Sequence, residues 1–148
     1  MKQEDTQLLL KDLCTRLPFG ICANLPNHHL VSHKYVIDDI NTHNGWTNGL
    51  LDCAGRIQIY GAKIEDIKPY LRPMSSMTEE EKEEYKKACD LDTKILSNHP
   101  MDGTTPFPVL YNSQDYLNSI HVDYRGLIPK GLAIEVTKEN NPYEEINL

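Results

Sequence analysis

Two pairs of side chains in this sequence have the types and spacing for proton transfer. Asp38 and His43, with Asp39 beside them, flank a Gly-Trp loop, and His121 and Asp123 alternate on one side of an extended segment. Neither pair stands in a catalytic motif. There is no nucleophile elbow, no H-E-x-x-H, no glycine-rich phosphate loop and no dinucleotide fingerprint. The residues therefore favour polar loops over an active site. The alternative is a small enzyme using Asp38/His43 or His121/Asp123 for acid–base chemistry, for example on a nucleotide.

A second cluster has the donors for a metal. His28, His29 and His33 lie together, and His43 follows. A His-x3-His pair needs a helix to bring both rings to one side, and the stretch around His29 and His33 reads as a strand beside a turn. No cysteine pair joins them. Cys14, Cys22, Cys53 and Cys89 are scattered without a CxxC, so they read as reduced, mostly buried thiols. The expectation is exposed turn histidines, no metal, no cofactor and no disulfide.

The remaining candidates are recognition residues. Trp46 is the only tryptophan and sits in a polar stretch, Asn44-Gly45-Trp46-Thr47-Asn48. Tyr124-Arg125-Gly126 places an aromatic ring and a guanidinium at a turn, and Arg72 lies between two prolines. Trp, Tyr and Arg are the usual anchors of binding surfaces, and a guanidinium fork suits phosphate or carboxylate. Each has a plain structural reading as well: Trp46 as a lid on the core, Arg125 as the partner of an acid. Trp46, Arg72, Tyr124 and Arg125 are the expected ligand- or partner-binding residues.

The elements that must hold these residues follow from periodicity. Residues 3–17 read as a helix, with Leu9, Leu13 and Leu17 in one i,i+4 row and Pro18 as the stop. Strands are expected at residues 19–25, 30–37, 49–53 and 56–60, with a polar loop over 38–48. Residues 62–67 read as one more short strand. Pro69 and Pro73 argue against a central strand, so a 3₁₀ turn is expected around Tyr70 and Leu71. Thr78 and Glu81 fit a capping box, followed by a helix rich in charge and poor in apolar residues, placed at the periphery. Residues 90–108, with four prolines and glycines, read as a long loop, then a short helix from Asn112 or Ser113, a turn at 124–129 and a last strand at 132–136. Residues 137–148 are polar and expected to be loose.

This order gives an α+β class: a small, strongly bent antiparallel sheet or SH3-like barrel with an N-terminal helix and two further peripheral helices, in one domain over residues 1–136. The chain has 148 residues, enough for one core, and a formal net charge of −7, which disfavours broad contact with a nucleic-acid backbone. No export signal or membrane-length apolar run is read, so a cytoplasmic protein is expected.

Three segments together resemble a known family: LLLKDLCTRLPFGI at 8–21, IEDIKPYLRPMSSMTEEEKEEY at 64–85 and LNSIHVDYRGLIPKGLAIE at 117–135. They are similar to a family of small uncharacterised proteins carried by gut anaerobic bacteria, their prophages and tailed phages, and cover a little over a third of this chain. The family has no established activity and supplies no catalytic residue. The resemblance implies a cytoplasmic protein of a bacterium or its phage. By association it implies a non-catalytic binding module that engages a host protein or sequesters a small nucleotide-like ligand, with an anti-defence role. The Pro129-Lys130 pair, residues 100–108 and the tail depart from it. Elemental analysis of protein purified without chelator is expected to find well under one zinc per chain; a full equivalent would overturn the reading of the histidine cluster.

Overall fold

The computed structural model describes residues 2–25, 35–41, 46–52, 58–59, 62–106 and 112–146. The first helix, α1, spans Gln3–Arg16. Its row of Leu9 and Leu13 is fully buried, which is what drives a helix of this length to form against the sheet. Glu4 and Asp5 lie in its first turn and Arg16 in its last, charges matched to the helix dipole. Pro18 sits inside the 3₁₀ turn Leu17–Phe19 that follows, and Gly20, at φ 75°, closes the turn.

Seven strands follow among the described residues: β1 Cys22–Asn24, β2 Tyr35–Asn41, β3 Trp46–Asp52, β4 Gln58–Ile59, β5 Lys68–Pro73, β6 Val122–Asp123 and β7 Ile134–Glu135. The order across the sheet is β4-β3-β2-β1-β5-β6, with β7 also on β5. The pairs from β4 to β5 are antiparallel, whereas β6 and β7 run parallel to β5. The α+β class stands, but among the described residues the sheet is mixed and open, not an SH3-like barrel. The described residues hold four α-helices: α1, α2 Glu79–Ser97, α3 Asn112–Ser119 and the one-turn α4 Pro142–Ile146.

Several expectations are corrected. Residues 62–67 form not a strand but a 3₁₀ turn, Ile64–Asp66, whose Ile64 enters the core. The stretch 68–73, expected as a 3₁₀ segment, is the central strand β5. Backbone groups along a strand face alternate edges. Arg72 N–H bonds the His121 carbonyl and the Leu71 carbonyl accepts Val136 N–H, so these residues face opposite edges. Pro69 and Pro73 share Leu71's edge, where β7 pairs only with Tyr70 and Leu71, and their missing N–H groups fall outside that pairing. The polar stretch 38–48 is not wholly loop either: β2 runs on to Asn41 and β3 starts at Trp46. A register shift around Asp39 lets the polar strand end twist without losing the pairing.

Helix α2 runs to Ser97, through the first eight residues of the expected 90–108 loop, because no proline interrupts it before Pro100. Within the polar tail, Tyr143 of α4 packs on the main core. That core joins Leu9 and Leu13 of α1 to Ile21, Tyr35, Ile64 and Leu71. A smaller cluster of Met77, Leu117 and Val122, with Tyr85 and Tyr116 beside it, joins α2 and α3 to β6. Among the described residues no helix is long and apolar enough to cross a membrane.

Leu13→Asp is expected to unfold the protein, since an uncompensated charge at a fully buried site costs more than about 4 kcal/mol. Leu91→Asp on α2, where the side chain is 46% exposed, is expected to change stability by no more than about 0.5 kcal/mol. Urea melts that rank the two alike would refute this placement of α1 and α2.

Candidate functional site

The chain from Asn118 to Arg125 is where the polar chemistry of the molecule gathers, and three arginines reach it from different elements. Arg16, on the last turn of α1, is 0% exposed. Its Nε donates to Asp12 Oδ2 at 2.8 Å and its Nη2 to the Val122 carbonyl at 2.7 Å. The local reason is spacing: Asp12 and Arg16 are i,i+4, on the same face as Leu9 and Leu13. Asp12 also accepts from Arg125 Nη1 at 3.0 Å, and the same nitrogen donates to Thr15 Oγ1. The Tyr124 ring lies between the two guanidiniums, 5.1 Å from that of Arg16 and 4.8 Å from that of Arg125. Its hydroxyl donates to Asn118 Oδ1, and Asn118 Nδ2 donates to the Thr15 carbonyl. One donor is left over: Arg16 Nη1 is buried without a hydrogen-bond partner.

Arg72 holds the other end of this segment. Its five N–H groups make five bonds: Nε to Ser76 Oγ, Nη1 to Glu81 Oε2 and the Ile120 carbonyl, Nη2 to Glu81 Oε1 and the Ser76 carbonyl. The bidentate pair with Glu81, at 2.7 and 2.8 Å, ties β5 to the first turn of α2. Glu81 completes the expected capping box with Thr78 as well. The hydrogen bonds from Arg72 hold its carboxyl at about 2, well below the usual carboxylate range.

His121 lies between these two arginines. Its backbone is left-handed, φ 62°, the one non-glycine residue so placed among those described. Its ring stacks on Tyr143, centroids 3.6 Å apart and planes within 6°. Nδ1 is buried without a partner. Burial first, then the charges of Arg16 and Arg72, pull its pKa down to about 4, so the ring is neutral at pH 7. Asp123 does not pair with it: the carboxylate accepts the amides of Leu127 and Ile128, both at 2.9 Å.

The expected site residues thus divide. Tyr124 and Arg125 come together, Arg72 reaches the same segment, and Trp46 stands apart at the start of β3 opposite Asn41, three strands from β5. Arg72's donors are all engaged within the protein. Asp38 lies in β2, while His28, His29, His33 and His43 fall outside the described residues. Cys14, Cys22 and Cys89 are not joined in disulfides; Cys53 is outside the described residues. Among the described residues no group of His, Cys, Asp and Glu has the geometry for a metal ion. Asp12, Arg16 and Tyr143 were not singled out from the sequence. The first two were detectable as charges on an apolar helix face; nothing marked Tyr143 in its polar tail.

A second feature is a groove of about 400 Å³ between α2 and α3, lined by Phe19, Ala88, Leu91 and Tyr116 and by the charged Glu84, Lys87 and Asp115. Comparison with protein-family models, with curated proteins and with solved structures finds no match for this chain.

The two low pKa values have opposite partners but the same sign. Unfolded His121 takes up its proton near pH 6.5 and the folded ring only near 4, so stability falls as pH drops through that window. His121→Asn, which tolerates the left-handed backbone, is expected to flatten the melting temperature between pH 6.5 and 4. Glu81 acts lower. Its contribution is complete above about pH 4.5 and is lost as pH falls toward 2. Water reaches the pair and screens it, so the advantage of wild type over Glu81→Gln is about 1–2 kcal/mol at pH 6, vanishing near pH 2. Parallel pH profiles for wild type and both variants would contradict these assignments.

Proposed function

We propose that this protein is a non-catalytic binding module that acts by occupying a protein partner through the outward face of α2 and the α2–α3 groove. One observation carries the reading: α2 has 19 residues, and its single buried residue is Asp92. The helix is held at defined points instead of along a face. Glu81 is clamped by Arg72 at one end, and Asp92 accepts from Asn112 Nδ2 and Ser113 N–H further along. Its apolar residues Leu91, Ile95 and Leu96 stay 46, 37 and 49% exposed. Tyr85 is the apolar residue of α2 that packs beside the Met77, Leu117 and Val122 cluster; Leu91, Ile95 and Leu96 lie outside that contact and are left for another molecule.

Charge names the kind of occupant. α2 carries seven acidic and four basic residues, Glu84 and Asp115 outnumber Lys87 along the groove, where Lys87 pairs with Glu84 at 3.2 Å, and the chain is at −7. The partner that fits is a basic amphipathic helix, its apolar side on Leu91 and Tyr116 and its lysines or arginines over the acidic rim. Asp123's commitment to two backbone amides supports a non-catalytic reading, because it removes the carboxylate of one expected acid–base pair. Arg72 and Arg125 are not part of this surface, since their acids are already within the protein. Trp46, at the end of the β2–β3 pair, is a separate candidate anchor. On the family resemblance alone, we place the interaction in the cytoplasm of a bacterial host, in an anti-defence role.

Photo-crosslinkers at positions 91 and 138 test the surface in a lysate of a gut anaerobic bacterium. Position 91 is expected to trap a basic helical segment that position 138 does not, and Ile95→Asp with Leu96→Asp is expected to weaken capture at least about tenfold. Equal adducts from both positions, adducts only between copies of this chain, or a small molecule recovered chemically converted would each overturn the reading.

A further inference from the structure

Tyr143 occupies a place in the sheet that backbone alone would normally fill. β1 and β5 are in register with Ala23 opposite Pro69 and Asn24 opposite Lys68. Tyr70 and Arg72, two residues apart, turn their backbone groups to one edge of β5. There Arg72 N–H bonds the His121 carbonyl, while the Tyr70 carbonyl takes the hydroxyl of Tyr143. The same hydroxyl accepts the Cys22 N–H at 3.4 Å. A single oxygen thus bridges two strands in the gap between the Cys22 end of β1 and His121. The phenol ring lies flat on the imidazole of His121. The slot is a stacking floor closed by one acceptor and one donor, with two further groups unmet nearby: His121 Nδ1 and the fully buried Arg16 Nη1.

We propose that this slot is a binding site for a mononucleotide, and that Tyr143 is its resident competitor, delivered by the C-terminal segment. The chemistry of the slot is that of a nucleobase edge. Tyr70 C=O and Cys22 N–H would read an adjacent donor and acceptor, as every base presents, and His121 supplies the flat surface on which bases stack. The arginines supply what the net charge of the chain withholds. Arg16 and Arg72 both act electrostatically on His121, and Arg16 Nη1 is a free donor for a phosphate oxygen. The strained backbone of His121 fits a residue held for a purpose other than packing, since a left-handed non-glycine residue is costly to hold. The occupant is light enough to leave: α4 is a one-turn helix of five residues, and the described chain between β7 and α4 is turn and bend.

The test is direct binding of AMP, GMP, CMP and UMP to the full-length chain by titration calorimetry. Wild type is expected to bind weakly because the slot is filled. Tyr143→Ala is expected to bind at least one of them about ten- to a hundredfold more tightly, the factor by which an internal competitor lowers apparent affinity. His121→Asn, added to Tyr143→Ala, is expected to abolish the gain, and a synthetic peptide of residues 137–148 to displace the nucleotide. Tyr143→Phe keeps the ring and loses the bridge, so faster hydrogen exchange at Cys22 N–H is expected in a folded protein. The proposal is overturned if folded Tyr143→Ala binds none of the four at millimolar concentration, or if His121→Asn leaves the binding intact. It is also overturned if Tyr143→Ala cannot fold, which would make Tyr143 a core residue. Loss of nucleotide binding with Leu91 crosslinks retained would leave the α2 surface standing by itself.

Discussion

A guanidinium in the interior is the constraint around which this fold closes. Arg16 is wholly removed from water, and a charge so placed must be met or the structure fails. Asp12, one turn earlier, meets it from within α1, and the Val122 carbonyl meets it from a point 106 residues away in the chain. The second contact converts a local ion pair into a long-range tie. It fixes which turn of α1 faces β6, and through Arg125 and Tyr124 it fixes the chain leaving β6 as well. Burying the pair has a desolvation cost that its Coulomb attraction barely offsets, so the pair adds little net stability over an apolar replacement. Its effect is on specificity: removing either partner strands the other, at roughly 3–5 kcal/mol.

The same logic divides the molecule into a part held by burial and a part held by polar clamps. α1 and β1, β2 and β5 share one apolar core, and there the leucine row decides the packing. α2 has no such row facing inward. Its position is set by Arg72 on Glu81, by Asp92 on the start of α3, and by the single ring of Tyr85 beside Met77, Leu117 and Val122. Clamps of this kind fix orientation at two points and leave the surface between them free. A packed helix could not expose Leu91, Ile95 and Leu96 without losing the burial that holds it; a clamped one can.

How much of this was legible depends on whether the determining contact is local. The α1 row, the capping box at Thr78 and Glu81, and the charged peripheral helix are local patterns, and each is present in the structure. β5 was misread because Pro69 and Pro73 carry a local prohibition, which lapses when their missing donors face an edge where only Tyr70 and Leu71 are paired. Asp12 and Arg16 sat in plain view on the apolar face of α1, yet their burial depends on a carbonyl 106 residues on, which no window along the sequence contains. The left-handed conformation of His121 has only a weak sequence signal: histidine enters that region more often than most non-glycine residues, but far less readily than glycine, and the turn from α3 into β6 imposes it.

His121 and Tyr143 show why the polar tail could not be read from its composition. A tail residue is ordinarily loose because it buries too little to offset the entropy of ordering it. Tyr143 escapes this through three contacts on one side chain: stacking on His121, a hydrogen bond to the Tyr70 carbonyl and one from the Cys22 amide. The tail is therefore ordered not by its own sequence but by a vacancy in the ladder between β1 and the His121 turn. Were Tyr143 withdrawn, the Tyr70 carbonyl would lose its hydroxyl donor and the His121 ring its cover, beside the buried Arg16 Nη1 that already lacks a partner. A buried polar group that loses a partner costs on the order of 1–3 kcal/mol, so a polar, flat occupant stabilises the slot.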